Sequence, residues 1–137
     1  MAYMRPHHEE DPRDVIYKKL GDISNIEIFN NQIIVATYVR PSKTKGGIIL
    51  PGSVGKEDEI QSKVGLVIKK GPTAFIDETG KWFDGITVEL NDWVVFRPSD
   101  GWAITVGNAQ DKDLDVACRV LDDTSVRGRV QFPDQVY

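Results

Sequence analysis

A chain of 137 residues with 40% hydrophobic residues has room for one domain with a modest core and some length left for tails. Its 17 Lys and Arg are scattered and outnumbered by 21 Asp and Glu, giving a net charge of −4, which argues against nucleic acid as the main partner. No apolar run approaches the roughly 20 residues that span a bilayer, so no membrane partner is expected, and Cys118, the single cysteine, excludes an internal disulfide and fits a reducing compartment.

Met1 to Asp14 is polar, with His7, His8, Glu9, Glu10, Asp11 and Pro12 in a row, and carries charge where a secretory leader carries its apolar stretch. The segment is expected to stay solvated rather than to fold alone, and the chain is expected in the cytoplasm. Val15 to Leu20 contains apolar residues but is too short to assign as helix or strand. Residues 1–25 are therefore set apart as an N-terminal extension from a domain spanning 26–137.

Regular structure is expected from Ile26. Ile26 to Val39 is rich in Ile, Val, Tyr and Thr, with Asn30-Asn31 interrupting it as a turn, and Arg40-Pro41 closes it because proline brings no N–H to a ladder. Arg40 to Lys63 reads as a long loop with an apolar island inside. Ser42, Lys43, Thr44, Lys45 and Gly46-Gly47 lie on one side of Ile48-Ile49-Leu50, and Pro51-Gly52-Ser53, Gly55 and Lys56-Glu57-Asp58-Glu59 on the other. Val64 to Lys70 is a strand stopped by Gly71-Pro72. Thr73 to Thr87 is a hairpin turning at Asp77-Glu78-Thr79-Gly80, with Phe75, Ile76, Trp82 and Phe83 on its arms. Strands follow at Trp93–Phe96, Trp102–Val106, Val116–Leu121 and Ser125–Val130. Short strands, frequent turns and no long amphipathic helix indicate an all-β barrel or sandwich.

The island is the informative feature, because a connection this long inside a small domain is usually functional or disordered. Three large aliphatics in a solvated loop gain nothing unless another surface buries them. Burial is worth about 1.5–3 kcal/mol each, so roughly 5–8 kcal/mol gross for the three, much of it offset by ordering the flanks. Each copy would grip weakly, and linked copies would grip strongly. Gly46-Gly47 permits the backbone to remodel on docking. By pattern alone, Ile48 to Leu50 reads first as one more core strand, as short apolar runs usually are.

Lys45-Gly46-Gly47-Ile48-Ile49-Leu50-Pro51 resembles the mobile-loop signature of the GroES-like co-chaperonins, the ten-kilodalton chaperonin family. Gln32 to Val35 resembles the first barrel strand of that family. Val64 to Ile68 with Gly71-Pro72 looks like its Gly-x-Val strand and following turn, and Leu90 to Phe96 like its Val-Gly-Asp-x-Val-x-Phe segment, with Asn91 in place of glycine. Asp115 to Val130 is similar to its closing strands, with Asp122-Asp123 as the acidic pair. The resemblance covers residues 26–130. It implies an irregular antiparallel β-barrel with a mobile loop at 40–63 and a roof hairpin at 73–87. It also implies a homo-heptameric ring and docking of Ile48, Ile49 and Leu50 in an apical groove of a GroEL-type chaperonin. Gly46 and Gly47 would then be the loop hinge. A folding client would be enclosed beneath the lid while the chaperonin hydrolyses ATP.

Extended members of this sort look like bacteriophage versions, for which a capsid protein is the natural client. The alternative is a virion structural protein, a capsid cement or decoration protein reusing the fold, with Tyr3, Met4 and Pro6 as small anchors on a neighbouring subunit. No catalytic set is expected: both histidines lie in the N-terminal segment, and no Ser or Cys has an obvious base. No cofactor is expected, because the glycines form neither a phosphate loop nor a dinucleotide fingerprint. The adjacent side chains of His7 to Asp11 do not converge on one metal ion. Trp82, Trp93 and Trp102 are expected in the core or at an interface, and Cys118 buried on a strand.

Overall fold

The computed structural model describes residues 10–39, 62–76, 83 and 86–136. A short helix α1 (Pro12–Leu20) precedes six strands: β1 (Gln32–Thr37), β2 (Val64–Lys70), β3 (Trp93–Val95), β4 (Trp102–Gly107), β5 (Asp115–Asp122) and β6 (Gly128–Val130). Two 3-10 turns, Asp123–Ser125 and Pro133–Gln135, follow β5 and β6. The strands form one antiparallel sheet in the order β4-β5-β1-β2-β3-β6. This is the all-β arrangement expected from the pattern of short strands.

β1 is the organising strand. It pairs with β2 on one side (Thr37 opposite Gly65, Val35 opposite Val67) and β5 on the other (Ile33 opposite Leu121, Ala36 opposite Cys118). A bulge between Ile34 and Val35 shifts the β1–β2 register. Side chains alternate across a strand, and β1 sends its residues into two separate apolar clusters. Ile34 and Ala36 join Leu66, Ile68, Trp93, Val106, Cys118 and Val120 on one face. Ile33 and Val35 join Val67, Val94, Phe96 and Leu121 on the other. A strand buried on both faces reads as a continuous apolar run, which is what Ile33 to Ala36 is.

The first face is covered by α1, a correction to the expectation of a solvated stretch up to Asp14. Asp11 caps the helix by accepting from the Arg13 backbone N–H at 2.9 Å, and Pro12 occupies the first turn, where no intrahelical N–H is needed. Asp14 near the start and Lys18 and Lys19 near the end match the helix dipole. Gly21, at φ 64°, ends the helix, and its N–H returns to Tyr17 O at 3.1 Å. Ile16 and Leu20, four residues apart, point inward, with Leu20 wholly buried. Ile23, Ile26 and Ile28 pack beside them, yet they form no strand: the connection from the helix is irregular, and β1 begins at Gln32 rather than Ile26.

β2 matches its expected bounds, and Gly71 is where it must stop. A Cβ there would strike the Asn30 carbonyl oxygen, so the chain can pass only as glycine. The last expected strand is shorter than the sequence suggests. Asp123–Ser125 winds into a 3-10 turn in which Val126 N–H bonds Asp123 O, leaving only Gly128–Val130 to pair with β3.

Candidate docking loop and its anchors

The connection carrying the apolar island leaves β1 and re-enters β2, two strands that are hydrogen-bonded neighbours. Ile48, Ile49, Leu50, Gly46 and Gly47 lie outside the described residues; the two feet of the loop lie within them. At the first foot the Tyr38 N–H donates to Val64 O at 3.0 Å, extending the β1–β2 ladder one step beyond Thr37. At the second, the buried Ser62 hydroxyl lies 2.8 Å from Val64 O and 3.3 Å from Tyr38 O, and accepts from the Val64 N–H at 3.3 Å. A hydroxyl has one proton, so the shorter approach takes it. Lys63 is fixed from behind, its carbonyl accepting from Phe96 N–H at 3.0 Å. The described residues that flank 40–61 on either side are thus bound to the same short stretch of sheet.

Tyr38 packs under this foot. It is buried, and its ring meets Trp93 edge to face, 5.7 Å between centroids at 78°. Trp93, expected in the core, is 1% exposed. Trp102, on the edge strand β4, is 62% exposed and fits an interface aromatic instead. Trp82 lies outside the described residues.

The hairpin expected at 73–87 is anchored on the opposite face of the sheet. Its turn, Asp77, Glu78, Thr79 and Gly80, lies outside the described residues. The described parts of its arms come together: Phe75 and Phe83 meet edge to face at 5.5 Å, and Ala74 and Val88 are buried in the second cluster. Phe75 sits at φ 62°, a left-handed angle uncommon for a side chain of this size. Asp123, 4% exposed, holds it there. One carboxylate oxygen accepts the Phe75 N–H at 3.0 Å, and the other accepts the Asn31 side-chain amide at 3.0 Å. A carboxylate bonded on both oxygens can be buried at tolerable cost. The family's acidic pair therefore has divided work here, since Asp122 is exposed and bonds the Gln32 side chain. On the other arm Lys70 Nζ donates to Val88 O at 2.8 Å.

The sequence reading missed the contribution of α1 to this region. Arg13 Nε donates to Asn91 O at 3.0 Å, the Tyr17 hydroxyl donates to Asn91 Oδ1, and the Arg13 guanidinium lies 5.6 Å from the Trp93 ring centroid. Burial raises the Tyr17 pKa above its ordinary value, against a smaller opposing pull from Arg13. Asn91 adopts φ 74°, the angle the family's glycine would supply, and its side-chain Oδ1 adds the acceptor for Tyr17 that glycine lacks, beside the backbone carbonyl that any residue would offer Arg13. At the far end Asn108 Nδ2 donates to Lys19 O at 3.0 Å, satisfying a helix-terminal carbonyl. The signal for this docking was present in the Asp-Pro start, the Ile16/Leu20 spacing and the Gly21 stop.

Cys118 is buried as expected, and burial pushes its thiol up to about 12. Among the described residues, no cluster of His, Cys, Asp or Glu is arranged to hold a metal ion, and no helix is long and apolar enough to cross a membrane. His7, His8 and Glu9 lie outside the described residues.

No curated protein matches the chain. The family model described as chaperonin 10 Kd subunit matches residues 25–117, which takes in β1 through β4, the start of β5 and the whole of the 40–63 connection. Most of the chain is covered. The chain belongs to the chaperonin 10 Kd subunit family, the co-chaperonins.

Proposed function

We propose that this co-chaperonin caps a GroEL-type chaperonin by docking Ile48, Ile49 and Leu50 in an apolar groove of the chaperonin, with Gly46 and Gly47 as the hinge. The observation that carries the reading is the pair of anchored feet. Tyr38 and Ser62 are hydrogen-bonded to one another's neighbourhood beside adjacent strands, so the 23 residues between them (39–61) start and finish at one place. A strip carried on such an insertion can be offered to a partner while the sheet stays intact. Three aliphatics buried there supply roughly 5–8 kcal/mol gross, reduced by the ordering of their flanks. One copy grips weakly, and a seven-membered ring converts this into avidity.

In this reading the protein works by binding in the cytoplasm, with no chemistry of its own, and ATP hydrolysis belongs to the chaperonin. The hairpin 73–87, rooted through Asp123 and Val88, forms the roof over the enclosed client. The barrel domain is taken as 26–137, with 1–25 as the extension that α1 belongs to. Imaging the purified protein with a GroEL-type chaperonin and ATP tests the reading: density capping the end of the chaperonin ring supports it. Seating on a capsid lattice with no affinity for the chaperonin would transfer the function to the virion.

A further inference from the structure

The foot of the docking loop is not supported by the sheet alone. Tyr38, the last buried residue before the loop, rests its ring on Trp93 at 5.7 Å. Over Trp93, 5.6 Å from its centroid, lies the Arg13 guanidinium of α1. Three groups from three distant parts of the sequence thus form one stack, running from the N-terminal helix through β3 to the point where the loop leaves β1.

Arg13 is held to this task from several directions. Its own backbone N–H is bound to the Asp11 cap at 2.9 Å, and its Nε donates to Asn91 O at 3.0 Å. Asn91 is fixed in turn, because its N–H donates to Val67 O at 2.8 Å and its side chain accepts the Tyr17 hydroxyl. The guanidinium is planar and presents several donors, so it can bond a carbonyl at its edge while its face covers an indole. A cation over Trp93 fixes the plane of that ring, and the edge-to-face packing passes the constraint to Tyr38. Tyr38 has little freedom left: its N–H is bound to Val64 O, and its carbonyl faces the Ser62 hydroxyl of the second foot.

We propose that Arg13 is a positioning residue for the docking loop: through Trp93 it braces Tyr38, and so sets the direction in which the chain leaves the sheet toward the chaperonin. The inference rests on the docking reading for its purpose, and on the stack alone for its geometry. It gives α1 a role in partner engagement as well as in the core, and explains the use of Asn at position 91, where a glycine would keep the backbone angle and leave the Tyr17 hydroxyl without its acceptor.

The test measures amide hydrogen exchange on the full-length protein, free in solution, for the unmodified chain, Arg13→Ala and Arg13→Lys. It is paired with binding of each to a GroEL-type chaperonin in the presence of ATP. Exchange at the Tyr38 and Val64 amides is expected to speed up about fivefold in Arg13→Ala, the size of the cation–π attraction that a partly exposed guanidinium provides. The β4–β5 amides should be unchanged, and lysine should restore much of the protection. Chaperonin binding should weaken in Arg13→Ala, with Ile48 to Leu50 untouched.

Unchanged exchange at Tyr38, or an equal rise across the whole sheet, overturns the brace. Binding of Arg13→Ala equal to that of the unmodified chain overturns the positioning role while leaving the docking reading standing. If the unmodified protein itself fails to bind, the docking reading falls, and with it the purpose assigned to Arg13; the exchange pattern still decides whether the stack braces the foot.

Discussion

Truncating Leu20 to alanine separates a helix that belongs to the core from one that merely lies on it. Leu20 is wholly buried, and it shares a cluster with Ile34, Leu66, Trp93 and Cys118. Removing a leucine from such a site costs the lost transfer free energy plus the cavity left behind, about 2.7–5 kcal/mol across measured cases. The helix is pinned at Asn91 and Asn108, so it cannot slide inward to refill the space. Its last turn has some freedom to relax, which favours the lower part of the range, about 3 kcal/mol. For a chain of this size that is a fall in Tm of roughly 10 °C. The measurement is thermal unfolding at fixed protomer concentration, since assembly makes Tm depend on concentration. Lys19→Ala, one residue away on the exposed side, should stay within about 0.5 kcal/mol. If Leu20→Ala melts like Lys19→Ala, α1 is not part of the core and the stack built on it loses its support.

Gly71→Ala should be more damaging than its size suggests, by about 2 kcal/mol or more in denaturant unfolding, because the new methyl meets a backbone carbonyl that cannot turn aside. Cys118 should resist a thiolate-selective reagent at pH 8 while the protein is folded and react once it unfolds. With the folded thiol at about 12 against an ordinary 9.0, its contribution to stability is complete below pH 9 and is lost as the pH rises from there toward 12. Native mass measurement of the free protein at micromolar concentration should give a ring of seven copies, and a stable monomer would remove the avidity that the docking strip depends on.

The sheet was legible because its strands announce themselves locally. Ile33 to Ala36 and Val64 to Ile68 are unbroken apolar runs, Gly71-Pro72 ends one of them for a steric reason, and Cys118 sits in a run buried on both sides. The helix was not legible by the same means. Nine residues are too few to be stable in isolation, and two inward residues one turn apart make a faint pattern. Its stability comes from Trp93, Asn91 and Asn108, seventy or more residues away in sequence. Ile26 and Ile28 misled in the opposite direction, since their spacing of two suggests a strand where the chain is irregular but still packs on the core. The Asp123 carboxylate, bound to the Asn31 side chain and to the Phe75 backbone N–H, shows why the anchors of an insertion resist sequence reading: one of its partners is a backbone group with no residue signature, and the other is ninety-two residues away.

The most direct test of the account is the variant Ile49→Asp, compared with the unmodified protein in two assays on the same preparation: thermal melting of the free protein, and retention by an immobilised GroEL-type chaperonin with ATP. If Ile49 belongs to a docking strip carried between the feet at Tyr38 and Ser62, melting should be unchanged. Retention should be almost abolished, because a carboxylate would have to give up its water in an apolar groove. A fall in Tm of roughly 10 °C or more, the mark of a charge forced into a core, would instead place Ile48 to Leu50 inside the domain. Undiminished retention by a normally folded variant would place the docking surface elsewhere, and either result would contradict the account.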